Sequence, residues 1–236
     1  MRKLLFILLT SMALTGCDYR SVKGDGHVSS EDRTISTASK IKLMGSYDVA
    51  LVQGTVPALK IEADGNLIPL IITENRDGWL IVRSKDHVNF SSDHEVRITI
   101  TTPTLEDIEL AGSGNITGKS KFTGADNLKI RISGSGDVAL ETNVPRVETH
   151  IAGSGNVDLA GEAKDVEVHI AGMGDYKGEN LKAENARVDI AGSGDVKIFA
   201  DSKLDVHIAG SGSVYYKGSP AITQRIAGSG EIKQVQ

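Results

Sequence analysis

The chain has 236 residues, 39% hydrophobic and 24% charged, with a net charge of -5 at pH 7 and a single cysteine. An acidic chain without a basic cluster offers nucleic acid no electrostatic footprint, and one cysteine excludes an intramolecular disulfide. Aromatic residues make up only 4%, with one tryptophan, Trp79, which points to a thin core of Val, Ile and Leu and argues against a sugar-stacking platform.

Arg2 and Lys3 open the chain ahead of an apolar run over residues 4–14, the pattern of an export signal. The run is about half the length of ~20 residues that a membrane-spanning helix needs. Leu14-Thr15-Gly16-Cys17 resembles the lipobox of bacterial lipoproteins, which implies cleavage before Cys17 and a diacylglycerol on its thiol. Two or three acyl chains anchor stably where a single chain binds only marginally. Asp18 resembles the signal that retains enterobacterial lipoproteins in the inner membrane. Residues 1–16 therefore read as a lipoprotein signal peptide and 17–40, polar and rich in Ser and Gly, as a tether. The folded domain is expected over 41–236.

Residues 41–100 hold short apolar, β-rich runs at 47–52, 58–61, 79–82 and 96–100, separated by turn signals. Asp77-Gly78 directly before Trp79 predicts a two-residue hairpin, since both residues tolerate positive φ. Pro69 demotes the run 67–72 to an edge strand or a short helix start. The polar stretch 87–94 reads as a surface loop. Residues 41–104 are thus an irregular β-rich entry, and 105–236 are repeats.

The repeats organise the rest. Copies of Ala191-Gly192-Ser193-Gly194-Asp195-Val196 begin at Ala111, Ser133, Ala152, Ala171, Ala191, Ala209 and Ala227, at intervals of 22, 19, 19, 20, 18 and 18 residues. A period near 20 is the mark of a stacked-repeat architecture. Each motif follows a strictly alternating strand, such as Val166-Glu167-Val168-His169-Ile170, whose apolar members face inward. The glycines turn the corner: Gly112, Gly114, Gly134, Gly136, Gly153, Gly155, Gly172, Gly174, Gly192, Gly194, Gly210, Gly212, Gly228 and Gly230. A second, shorter strand follows, for example through Val157 and Leu159. Parallel connections are overwhelmingly right-handed. The expected fold is therefore all-β, a right-handed parallel β-solenoid of about 18–22 residues per rung with two principal strands each. Its inner stack is Leu110, Ile132, Ile151, Ile170, Ile190, Ile208 and Ile226.

Two outward ladders could carry chemistry. Asn115, Asp137, Asn156, Asp175, Asp195, Ser213 and Glu231 follow the second glycine of each corner. They invite comparison with calcium-binding nonapeptide repeats, or they satisfy backbone groups at the turn. Glu109, Arg131, His150, His169, Asp189, His207 and Arg225 lie two residues before each anchor. His150 and His169 fall on adjacent rungs, and Asp189 with His207 would complete a metal set; a mixed polar face is also what solubility alone requires. No catalytic motif is present: there is no Gly-x-Ser-x-Gly elbow, phosphate loop or His-Glu-x-x-His. No residue is assigned to catalysis and no cofactor is expected.

Val96-Arg97-Ile98-Thr99-Ile100-Thr101-Thr102-Pro103-Thr104-Leu105, leading to Ile108-Glu109-Leu110-Ala111-Gly112-Ser113-Gly114-Asn115-Ile116, resembles the bacterial family called putative auto-transporter adhesin, head GIN domain. So does Tyr47-Asp48-Val49-Ala50-Leu51-Val52-Gln53-Gly54. The resemblance covers roughly residues 41–218 and implies an exported, often lipid-anchored, β-helical domain of unknown function. Attachment is expected through Cys17 and not through a C-terminal membrane barrel.

The reading is a non-catalytic, lipid-anchored cell-envelope protein, an adhesin or binding scaffold facing a protein or glycan ligand. The alternatives are a glycan-active enzyme on a β-helix, of the polysaccharide lyase kind, and a periplasmic signalling or structural partner. Membrane contact is expected through the acyl chains. The short final rung leaves an exposed parallel edge, which predicts end-to-end pairing into a homodimer.

Overall fold

The computed structural model describes residues 20–235, so Cys17 and the export segment lie outside the described residues. The described part is a β-solenoid, built from two parallel ladders. The first ladder holds the strands that lead into each corner. In spatial order they are Trp79–Ser84, Lys40–Gly45, Asp107–Gly112, Asn127–Gly134 and Arg146–Gly153, the C-terminal parts of Val157–Gly172 and Tyr176–Gly192, then Lys203–Gly210 and Ala221–Gly228. The second ladder holds the strands that leave the corners, from Arg97–Thr102 and Asp48–Gln53 to Val214–Lys217 and Ile232–Gln234.

Register follows from the period-two pattern, because a slip of one residue would turn every apolar side chain outward. Ile132 pairs with Ile151, Ile151 with Ile170, Ile170 with Ile190 and Ile190 with Ile208, and all five are buried. The column continues through Leu110, Leu43 and Val82. Ile226 departs from the expected stack: it is 40% exposed, because it closes the last rung of the described chain and no rung covers it.

The corners explain why the sequence repeats glycine. At Gly172 φ is +144°, and a Cβ there would stand less than 3.0 Å from the carbonyl oxygen of Gly153 in the rung before. Gly174 has no such φ, yet a Cβ on it would meet the carbonyl oxygen of Gly155 equally closely. The first glycine is thus required by both conformation and approach, the second by approach alone.

Residues 40–53 are a complete rung rather than an irregular entry. Met44-Gly45-Ser46-Tyr47-Asp48-Val49 occupies the corner, and Gly45 has φ +147°. Tyr47 stands where the other corners have their second glycine. It fits because the rung beneath, from Trp79–Ser84 to Arg97–Thr102, has no tight corner but a long excursion. Tyr47 is buried there, its ring stacked on Phe90 at 5.9 Å and its hydroxyl hydrogen-bonded to Ser84.

Antiparallel strands cap this end. Ala58–Asp64 pairs with Arg97–Thr102, Val28–Arg33 pairs with Ala58–Asp64, and Ile71–Arg76 pairs with Trp79–Ser84. The last pair is the expected hairpin, with φ of 53° at Asp77 and 80° at Gly78. Ile68–Leu70, around Pro69, is a 3-10 turn. Two expectations give way here. The supposed tether contains strands Arg20–Lys23 and Val28–Arg33, and the supposed loop 87–94 contains strand Val88–Ser91, which pairs in parallel with Arg20–Lys23. These strands are short, polar edges with little alternation, so their pairing partners define them and their own pattern does not.

Candidate functional site

The outer face of the first ladder brings the predicted polar column together in register. Lys42, Glu109, Arg131, His150, His169, Asp189, His207 and Arg225 follow one another rung by rung. Beside it runs a column with Asp107, Lys129, Glu148, Glu167, Arg187 and Asp205. Charges of opposite sign meet within and between rungs: Lys42 with Glu109 at 2.5 Å, Lys129 with Glu148 at 2.7 Å, Arg131 with Asp107 at 3.1 Å, and Arg146 with Glu167 at 2.6 Å.

The histidines are held within this network. His150 Nε2 lies 2.5 Å from Glu148 and His169 Nε2 lies 2.9 Å from Glu167. Asp189 sits between His169 Nδ1 at 3.3 Å and His207 Nδ1 at 3.1 Å, and takes Arg187 Nε at 2.9 Å. Both ring nitrogens of His169 therefore face carboxylates, which places acceptors where a metal would need its lone pairs. Among the described residues no group of three His, Cys, Asp or Glu is arranged to hold a metal ion. The hydrogen bond with His150, and then that with Lys129, holds the Glu148 carboxyl down at about 2.

A shallow trough of about 630 Å³ runs along this face over five rungs. Its floor is the column Ala152, Ala171, Ala191, Ala209 and Ala227, and one wall is His150, His169, Asp189, His207 and Arg225. The repeated Ile-Ala-Gly sequence creates it: the isoleucine points inward, the alanine contributes one methyl, and the glycine contributes nothing. The imidazoles therefore stand above a low apolar strip. Arg225, at one end, makes no ion pair among the described residues.

The Asp and Asn ladder at the corners has a different job. Asp137 Oδ1 accepts from the Asn156 backbone N–H at 2.9 Å, Asn156 Oδ1 from Asp175 at 3.1 Å, Asp175 Oδ1 from Asp195 at 2.9 Å, and Asp195 Oδ1 from Ser213 at 2.8 Å. Each side chain satisfies the next rung's amide, which is the turn role of these residues.

One constellation escaped the sequence. Asp64, 1% exposed, accepts from Ser92 Oγ at 2.6 Å and His94 Nδ1 at 3.0 Å. These are the residue types of a hydrolytic triad with different wiring. The Ser92 hydroxyl donates to the carboxylate, whereas nucleophilic activation needs it on the far nitrogen of the histidine. Asp64 is held below the usual carboxylate range, first by the Ser92 hydrogen bond, so it does not take that proton.

The described residues form a β-solenoid whose outer face carries a charged ladder along its parallel strands. A family model described as "Putative auto-transporter adhesin, head GIN domain" matches residues 38–220, and the chain belongs to that family. The chain is similar to a putative adhesin from Bacteroides fragilis NCTC 9343, with TM-score 0.87 and 28% identity over 91% of this chain and 100% of that one. It is also similar to a putative lipid binding protein from Parabacteroides distasonis ATCC 8503, with TM-score 0.76 and 26% identity over 92% of this chain and 100% of that one. A putative adhesin from the latter strain shares the fold at TM-score 0.73 and 23% identity, over 92% and 100% of the two chains. No curated protein matches the chain, and no helix among the described residues is long and apolar enough to cross a membrane.

Proposed function

We propose that this protein is a non-catalytic, lipid-anchored binding protein of the cell envelope, an adhesin whose ligand lies along the trough beside His150, His169, Asp189 and His207. The observation that carries this reading is the trough itself: an apolar floor, a polar wall and an Arg225 without an ion pair among the described residues, laid out along five successive rungs. Membership of the adhesin family supports the binding role, and the lipobox Leu14-Thr15-Gly16-Cys17 supports anchoring.

The test is retention of beads carrying the mature protein on mucin, on collagen and on phosphatidylglycerol vesicles. Filling the trough by Ala191→Trp should lower retention at least tenfold on whichever surface holds the wild type. Equal retention by the variant, or none by either, would count against the reading.

The apolar floor favours one second reading, an amphiphile whose acyl chain follows the alanines and whose anionic head meets Arg225. The lipid-binding neighbour supports it. Selective retention on vesicles, lost in Arg225→Glu, would distinguish it.

A further inference from the structure

We infer that the capped end of the solenoid is its membrane-facing end, fixed there by a clasp at Asp64 and not swung on a tether. This rests on lipidation of Cys17.

Asp64 ends the strand Ala58–Asp64, and the chain segment 23–27 crosses over it. Besides Ser92 and His94, its carboxylate accepts from the backbone of Gly26. A Cβ on Gly24 would stand less than 3.0 Å from that carboxylate, so a glycine is needed at the crossing. Asn66 grips the same segment, its Nδ2 donating to the Lys23 carbonyl at 2.8 Å and its Oδ1 accepting from the Asp25 N–H at 3.1 Å. Gly65 N–H donates to the His27 carbonyl at 2.9 Å. The strand just before, Arg20–Lys23, is paired with Val88–Ser91 from the excursion of the entry rung.

The chain is therefore held from Arg20 onward, three residues after Cys17. Three residues reach about 10 Å at full extension. An acylated Cys17 lies at the bilayer interface, so the strand Arg20–Lys23 and the excursion beside it lie close to the headgroups. Charge decides which way the rest points. Residues 20–104 carry 10 Lys and Arg against 11 Asp and Glu, whereas 105–235 carry 14 against 19. An anionic leaflet repels the acidic rungs and leaves the nearly neutral cap in place. With rungs ~4.8 Å apart, the trough then begins about 20 Å beyond the entry rung and ends about 40 Å beyond it. The solenoid is a post that carries its trough away from the membrane.

Acylation consumes the only native thiol, so single cysteines at Lys85→Cys on the cap and Lys233→Cys on the last rung report separately. Each labelled, full-length lipidated protein is placed in vesicles of phosphatidylethanolamine and phosphatidylglycerol that carry a headgroup energy acceptor. Transfer from position 85 should exceed that from position 233 at least threefold. Asp64→Ala should narrow the ratio and expose segment 20–27 to protease, and His94→Ala should do so more weakly should the first variant fail to fold. Equal transfer from both positions, with the acyl mass present on Cys17, overturns the docking and leaves the anchoring intact. Absence of that mass, with the protein soluble, overturns both.

Discussion

His150 and His169 stack one rung apart, with ring centroids 4.7 Å from each other and planes inclined by 13°. The spacing is that of neighbouring strands, so the ring pair reports directly that the ladder is parallel and in register. It also fixes the height of the trough wall, because each ring is pinned by the glutamate two residues before it, Glu148 and Glu167.

Glu148 makes part of the stability acid-sensitive. Its carboxyl is held down at about 2 by His150 and then Lys129, so the unfolded chain takes up this proton at a higher pH than the folded one. The contribution is complete above the ordinary carboxylate range and is lost as pH falls through about 2. After solvent screening it is on the order of 1 kcal/mol. Urea unfolding of wild type and Glu148→Gln should differ by that amount near neutrality and converge near pH ~2. A constant difference across the range would contradict the assignment.

The inner stack predicts a contrast between two isoleucines in the same column. Ile170 is 2% exposed and Ile226 is 40% exposed. Ile170→Asp buries an unpaired charge and should cost about 3 kcal/mol or more, whereas Ile226→Asp should change stability by less than about 0.5 kcal/mol. Similar melting temperatures for the two variants would show that the column is not a core.

The corner ladder predicts indifference to calcium. Asp195 Oδ1 already accepts the Ser213 amide at 2.8 Å, and Asp195→Ala should cost about 1 kcal/mol through that lost bond. Differential scanning calorimetry with calcium and with chelator should give the same melting temperature. A rise on adding calcium that Asp195→Ala abolishes would restore the metal reading.

Most of the solenoid is legible in the sequence, because alternating strands and close-stacked glycines are strong constraints that each rung restates. The rung at 40–53 is less so. Its corner keeps Gly45, Ser46, Asp48 and Val49 but puts Tyr47 where the repeats have glycine, and only the open excursion beneath explains how that ring fits. The polar column was readable as a ladder, yet its meaning was not. The four side chains His150, His169, Asp189 and His207 do meet rung by rung, but their free positions are taken up by Glu148, Glu167 and Arg187, each two residues before a member of the column; alternation puts these residues on one face without saying which of them bond. The Asp64 clasp joins residues 26, 64, 92 and 94 through antiparallel pairing at the cap, and nothing in their spacing announces it.

The stacked corners carry the whole arrangement, and one pair of glycines tests them most directly. Gly172 has φ +144° and sits against the Gly153 carbonyl, whereas Gly124 has φ +84° with nothing within 4 Å. Alanine at Gly124 meets conformational strain alone, about 1–2 kcal/mol; alanine at Gly172 adds an overpacking cost of about 1–3 kcal/mol. Thermal melting should place Gly172→Ala roughly 10 °C below wild type and Gly124→Ala within about 4 °C of it. A Gly172→Ala protein that melts with the wild type would contradict the stack.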